Sequence, residues 1–241
     1  MVIRINKTIN YLILFQITWC LFEEIIYSYN PNLGILLFGP EVLGTLYLFL
    51  ALAKKKFKVN KVALRRKNYS DLLLGCFVIY VIISVVWSNW DIYSIIVRFR
   101  YIIMGCITYW VVHENLTDEV YRKIINIMCI AQIINFFLVL YQFFIMGINV
   151  DFANGIFGFT GYANAAQGSF CVALSLLAFV YYLDGTWHPM RSFLILGLSC
   201  VICAVSEIKI YFVLLVIGII GIIAIRKNSF KERIRIIAIG A

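Results

Sequence analysis

The stretch FLILGLSCVICAVSEIKIYFVLLVIGIIGIIAI, residues 193–225, is an apolar run of 33 residues interrupted by the polar tetrapeptide Ser206-Glu207-Ile208-Lys209. As one helix, the run would be about 50 Å long at about 1.5 Å per residue. The hydrocarbon core of a bilayer is only about 30 Å thick, and a charge at the centre of a span costs about 2.5–3.5 kcal/mol. The run is therefore too long and too polar at its middle for one ordinary span.

We predict instead that two membrane helices meet at a polar tip formed by the tetrapeptide. The first helix is expected to start near Trp187, with Pro189 in its opening turn, where proline is favoured. The second is expected to cover residues 208–225. The alternative is one long, tilted helix that buries a Glu207–Lys209 ion pair. In either arrangement these charged residues are functional candidates, because charges at membrane depth are rarely retained without a role.

The composition indicates an all-α, polytopic transmembrane helical bundle. Hydrophobic residues make up 63% of the 241 residues and charged residues 14%, and the mean hydropathy is +0.93. A soluble domain carries about 25% charged residues. We predict a single transmembrane domain over residues 1–241. The net charge of +9 matches the Lys and Arg that membrane proteins collect in cytoplasmic loops, so no nucleic-acid partner is expected.

Eight spans follow from the apolar runs. They lie at about residues 11–29, 33–53, 71–88, 94–112, 124–146 and 162–183, followed by the helix that starts near Trp187 and by residues 208–225. With the N-terminus in the cytoplasm, 18 of the 21 Lys and Arg residues fall on the inner side. Residues 236–241 resemble the start of a truncated ninth span. The chain is therefore expected to be an N-terminal fragment of a longer protein.

Motifs of soluble enzymes and metal sites are missing from the sequence. It contains no P-loop, no dinucleotide-binding glycine motif, no zinc-protease motif and no nucleophile elbow. The seven cysteines all lie in apolar runs and are expected to act as small packing residues. No metal and no cofactor is expected.

The segment between the fifth and sixth spans is rich in Gly, Asn and aromatic residues. Aromatic faces and amides are suited to binding sugars, so we treat Gly158, Gly161, Tyr162 and Asn164 as candidate substrate-binding residues. The alternative is a re-entrant or interfacial loop whose small residues allow close helix packing.

Acidic and basic residues on the predicted outer side form a second group of candidates. Glu41 lies within the second span, and Arg98, Arg100 and Lys209 are the cations on that side. Arg98 and Arg100 lie about 200° apart on a helix. We expect Arg98 to face the substrate cavity and Arg100 to serve as an interfacial anchor. One alternative is that the fourth span starts after Tyr101, which leaves both arginines on an interfacial segment. The alternative for all these charges is structural ion pairing.

The glycine-rich segment 155–166, a following span and a helical pair broken at Ser206-Glu207-Ile208-Lys209 resemble the O-antigen polymerase and ligase superfamily. The likeness covers residues 70–225. It departs from the ligases, which usually carry Ser-Arg-Gly at the break, and the family's large outer loop and later spans are missing from this sequence.

The resemblance implies a metal-independent transferase of the bacterial cytoplasmic membrane. Such an enzyme polymerises oligosaccharide repeat units linked to undecaprenyl diphosphate at the outer face, for O-antigen, capsule or exopolysaccharide. Glu207 and Lys209 would then be the catalytic residues, with Glu41, Arg98 and Arg100 binding substrate. The implied partners are membrane lipid and the flippase and chain-length regulator of the same pathway.

A non-enzymatic flippase or other multi-span transporter is the competing hypothesis. Broken helices with charges at mid-membrane also mark transport sites. Here the inward halves of the spans carry few charges, which favours the transferase.

Overall fold

A computed structural model describes most of the chain. The described residues are 2–30, 32–33, 38–57, 75–76, 78–79, 83, 103, 105–109, 111–112, 115–159 and 163–225. Within these ranges the regular structure is helical, without strands, which confirms the all-α prediction. The third and fourth predicted spans and residues 236–241 fall largely or wholly outside these ranges, so the count of eight spans and the ninth span stay predictions.

Six long helices carry the described architecture. They are α1 (Val2–Tyr29), α2 (Gly39–Phe57), α3 (Asp118–Leu140), α4 (Ala163–Leu183), α5 (Pro189–Val205) and α6 (Lys209–Ile225). A π-helical turn, Tyr141–Ile145, extends α3. In the described part of the chain, Ile5–Tyr29, Asp118–Ile145 and Ala163–Leu183 are long and apolar enough to cross a membrane, and α5 and most of α6 are shorter apolar helices. These helices indicate a multi-pass membrane protein.

The chain forms two compact units, one made of Met1–Cys20 and Phe38–Ile124 and the other of Leu21–Leu37 and Ile125–Ala241. In the first unit, Gln16 Nε2 donates to the Pro40 carbonyl at 2.9 Å and links the helices α1 and α2. The single-domain assignment stays a prediction.

The core of the second unit lies where α4 packs against both α5 and α6. It contains the buried residues Val139, Cys171, Ile202, Cys203, Ile208, Tyr211 and Leu215. Within this core the Tyr211 hydroxyl lies 2.9 Å from Ser175 Oγ and so joins α6 to α4. Cys129, Cys171 and Cys203 are buried and unbridged, as expected of packing residues, whereas Cys20 and Cys76 are exposed. The packing role predicted for all seven cysteines is therefore met only in part.

The break in the apolar run is confirmed. Pro189 stands in the first turn of α5, and the ring of His188 accepts from the Met190 N–H at 3.3 Å as the N-cap. The helix ends at Val205, and α6 begins at Lys209. The alternative of one long helix burying a Glu207–Lys209 pair is wrong, because Glu207 and Lys209 are both exposed.

Candidate functional site

The segment between α3 and α4 turns back along α3 instead of passing over its end. The Ile156 N–H donates to Asn135 Oδ1 at 2.9 Å. Asn135 precedes Ile145, the last residue of the extended helix, by ten positions, or about 15 Å along the axis. That depth is about half of a bilayer core. We call residues 147–159 the re-entrant loop. Its depth supports the alternative prediction of a re-entrant loop for the segment between the fifth and sixth predicted spans.

Side chains of the surrounding helices satisfy the backbone of the re-entrant loop. The Gly155 N–H donates to Gln142 Oε1 at 2.7 Å, and Gln142 Nε2 donates to the Gly155 carbonyl at 3.0 Å. Ser206 Oγ donates to the Ala153 carbonyl at 2.8 Å. Gln142, Gly155, Ala153 and Ser206 are all buried. Irregular backbone at membrane depth is tolerated only where protein groups replace water as hydrogen-bond partners, and these amides and hydroxyls do so.

Two glycines in the left-handed backbone conformation allow the re-entrant loop to approach α3 and α1 closely. Gly155 has φ +58°, and a Cβ there would meet the side chain and carbonyl of Asn135. Gly158 has φ +86°, and a Cβ there would meet Ser28 Oγ and the Glu24 carbonyl of α1. Gly158 is therefore a packing residue in the first place, and its substrate-binding role stays a prediction.

The tip between α5 and α6 is a Schellman motif, a helix ending in which two N–H groups reach back to carbonyls of the last turn. The Ile208 N–H donates to the Cys203 carbonyl at 2.8 Å, and the Glu207 N–H donates to the Ala204 carbonyl at 3.3 Å. Glu207 has φ 51° and stands where glycine is usual. The side chain of Glu207 therefore projects to the surface from a backbone that is fixed on both sides.

Ser206 fixes the tip to its neighbours. Its hydroxyl accepts from Gln167 Nε2 of α4 at 2.8 Å while it donates to Ala153 of the re-entrant loop. The tip, the loop and the first turns of α4 thus meet at one end of the second unit. Lys209 is exposed at the start of α6, and no described residue forms an ion pair with it.

Ser206→Ala is expected to lower the free energy of unfolding by about 1–3 kcal/mol, because it leaves a buried carbonyl and a buried amide N–H without partners. The matched control is Ser169→Ala, which removes an exposed serine of α4 and is expected to change stability by less than about 0.5 kcal/mol. SDS titration in mixed micelles measures both. Equal effects of the two substitutions would contradict the role given to Ser206.

The predicted site residues are divided between the two units. Glu207, Lys209, Gly158 and Asn164 belong to the second unit, and Asn164 is half-buried in the first turn of α4 with an Oδ1 that has no hydrogen bond. Glu41 belongs to the first unit, in the first turn of α2. Four predicted site residues lie outside the described residues: Arg98, Arg100, Gly161 and Tyr162.

Three buried amides of the extended helix were not among the predicted site residues. Gln132, Asn135 and Gln142 recur on one face of the extended helix at spacings of three and seven residues, and each is fully buried. Gln132 Nε2 donates to Ser199 Oγ of α5 at 2.8 Å. Polar amides at helical spacing inside an apolar run were the available signal.

Comparisons with protein-family models, curated proteins and solved structures gave no match.

Proposed function

We propose that this protein is a membrane glycosyltransferase that joins oligosaccharide repeat units carried on undecaprenyl diphosphate at the outer face of the bacterial cytoplasmic membrane. One observation carries the proposal. An exposed carboxylate, Glu207, and an exposed ammonium, Lys209, stand two residues apart on a rigid turn at the end of two apolar helices. A lipid-linked substrate would present its diphosphate and first sugar near such a membrane surface.

In the proposed step, a hydroxyl oxygen of the acceptor sugar attacks the anomeric carbon of the donor. A new carbon–oxygen bond forms as the bond from that carbon to the diphosphate breaks. The carboxylate of Glu207 takes the hydroxyl proton as general base. Lipid diphosphate leaves with the bonding electrons, and the ammonium of Lys209 stabilises its growing charge.

The position of Lys209 suits the leaving group for a second reason. It is the first residue of α6, and the first turn of a helix presents N–H groups and a partial positive charge. A lysine there adds its charge to an end that already favours anions. The charge of Lys209 and the N-terminus of α6 together attract a diphosphate more strongly than either would alone.

The backbone of Glu207 supports a functional role for its side chain. A residue other than glycine in the left-handed conformation costs about 1–2 kcal/mol. Glycine at this position would remove that cost, and the exposed Glu207 side chain has no described partner that offsets it. Strain at an exposed charged residue is typical of functional sites.

The alternative is a lipid-oligosaccharide flippase, which the depth of the re-entrant loop favours because transporters place irregular backbone at mid-membrane. However, Gln142, Asn135 and Ser206 already bond to the loop, which leaves these groups less available to a passing substrate. The two functions differ in the product that a deletion strain accumulates. Loss of the transferase leaves single lipid-linked repeat units on the outer face, whereas loss of a flippase leaves them on the inner face.

The proposal requires the tip to lie outside. In a variant without native cysteines, a membrane-impermeant maleimide added to intact cells is expected to label Glu207→Cys and not Arg122→Cys. Both positions are exposed in the described structure, so accessibility to solvent is matched. Labelling of Arg122→Cys alone would invert the topology and exclude catalysis at the outer face.

A further inference from the structure

A cavity of about 380 Å³ lies in the first unit, beside the N-terminal parts of α1 and α3. Its lining includes Lys7, Asn10 and Tyr11 from α1 and Glu119 and Lys123 from α3. These residues belong to the opposite end of α3 from the re-entrant loop, and none of them takes part in the proposed transfer. The cavity therefore needs a separate explanation.

The charges around the cavity sum to one positive charge. Lys123 Nζ lies 2.6 Å from Glu119 Oε1, one helical turn away, so these two charges offset each other. Lys7 is exposed and supplies the remaining charge. A phosphodiester, with one negative charge, matches this net charge.

A buried acceptor in the cavity lining points to the rest of the ligand. Asn10 is 7% exposed, and its Oδ1 has no hydrogen-bond partner. Oδ1 of the neighbouring lining residue Asn6 is also buried without a partner. Both Oδ1 atoms are shielded from the cavity that the two side chains line. Because a buried acceptor without a donor is costly, each amide would gain by turning its Oδ1 toward a ligand hydroxyl in the cavity. Tyr11 and Leu14 continue the lining with apolar surface.

The position along the helices places the cavity at the level of lipid headgroups. The extended helix Asp118–Ile145 has 28 residues and is about 42 Å long, which exceeds the hydrocarbon core by about 12 Å. With Ile145 at the opposite membrane surface, the first turns, with Glu119 and Lys123, extend into the headgroup layer. Lysines at this level attract anionic lipids.

We propose that this cavity binds one anionic glycerophospholipid whose headgroup is a phosphodiester bearing hydroxyl groups, as in phosphatidylglycerol. Lys7 and Lys123 contact the phosphate, Asn6 and Asn10 turn their Oδ1 atoms to accept from the hydroxyls, and the acyl chains follow Tyr11 and Leu14 along α1. This site is independent of the proposed transferase activity.

The test is native mass spectrometry of the purified full chain, titrated with phosphatidylglycerol or phosphatidylcholine. The wild type is expected to retain one phosphatidylglycerol. Lys7→Gln with Lys123→Gln is expected to weaken retention about thirtyfold, from the attraction of two lysines near a membrane surface. Glu119→Gln should strengthen it, because Lys123 is then free. The control, Arg122→Gln, removes an exposed charge that does not line the cavity; an equal loss in this variant would overturn the proposal.

Two further arms test the chemistry of the headgroup. Phosphatidylmethanol has the same single charge without hydroxyls, so the wild type should retain it less well than phosphatidylglycerol, and Asn10→Leu should remove that preference. An unchanged preference in Asn10→Leu would contradict the role of the buried acceptor. Glycerophosphoglycerol, which has no acyl chains, should compete weakly; displacement of the lipid at equal concentration would assign the site to a soluble phosphodiester instead.

Discussion

Glu207→Gln and Lys209→Gln are each expected to reduce polymer formation by about 10²–10⁴-fold while the protein reaches its normal abundance. Glutamine matches the size of glutamate and is a shorter, neutral replacement for lysine, so one variant loses the proton acceptor and the other loses the cation. The measurement is the amount of long-chain surface polysaccharide in a strain whose only copy carries the variant.

The control variants make the same changes of charge at other exposed positions. Asp151→Asn removes an exposed acid of the re-entrant loop, and Arg122→Gln removes an exposed cation of α3; both are expected to leave polymer unchanged. Glu207→Gly separates chemistry from folding, since it should relieve the left-handed backbone strain, stabilise the fold by about 1 kcal/mol and still abolish polymer. Full polymer in Glu207→Gly would remove this carboxylate from the mechanism.

Gly155→Ala is expected to cost more than about 3 kcal/mol of unfolding free energy, the largest effect on stability predicted for this chain. The added methyl group combines an unfavourable φ with a collision against the side chain and carbonyl of Asn135. Because Gly155 is buried against α3, Asn135 cannot move aside without breaking the hydrogen bonds that hold the loop, which are the bond that Asn135 accepts from Ile156 and the pair between Gln142 and Gly155.

Gly147→Ala is the matched control, since Gly147 has φ +64° but nothing within 4 Å of the Cβ position. This substitution isolates the effect of the unfavourable φ and is expected to lower the free energy of unfolding by about 1 kcal/mol. SDS titration in mixed micelles compares the two variants. If they lose the same stability, the close approach of the re-entrant loop to α3 is not a determinant of the fold.

The broken helix was predictable from the sequence because a single physical constraint decides it. An apolar run longer than the bilayer, with two charges at its middle, is accommodated by a turn. Pro189 then marked the first turn of α5. The left-handed conformation of Glu207 was not predictable, because sequence preferences at this position of a helix end favour glycine.

The sequence predicted the re-entrant loop only as one of two alternatives, because the residues that hold the loop in place lie in distant parts of the chain. Glycines and asparagines in a loop are compatible with a sugar-binding surface or with close packing. The decision rests on Gln142 and Asn135, which precede the loop, and on Ser206, which follows it. Their hydrogen bonds to the loop depend on how α3, α4 and α5 pack, and no local pattern contains that information.

The hydrogen bonds of the re-entrant loop also set an order for its biogenesis. Asn135 and Gln142 are synthesised before the loop, but Ser206, the partner of the Ala153 carbonyl, follows Ala153 by 53 residues. Until the ribosome has made α5 and the tip, that carbonyl has no protein donor and must remain in contact with water. We therefore expect the loop to enter the membrane after its own flanking helices, once α5 and the tip have been made. A ribosome stalled after α4 would hold a chain whose helices are inserted while its residues 150–158 still lie in an aqueous compartment.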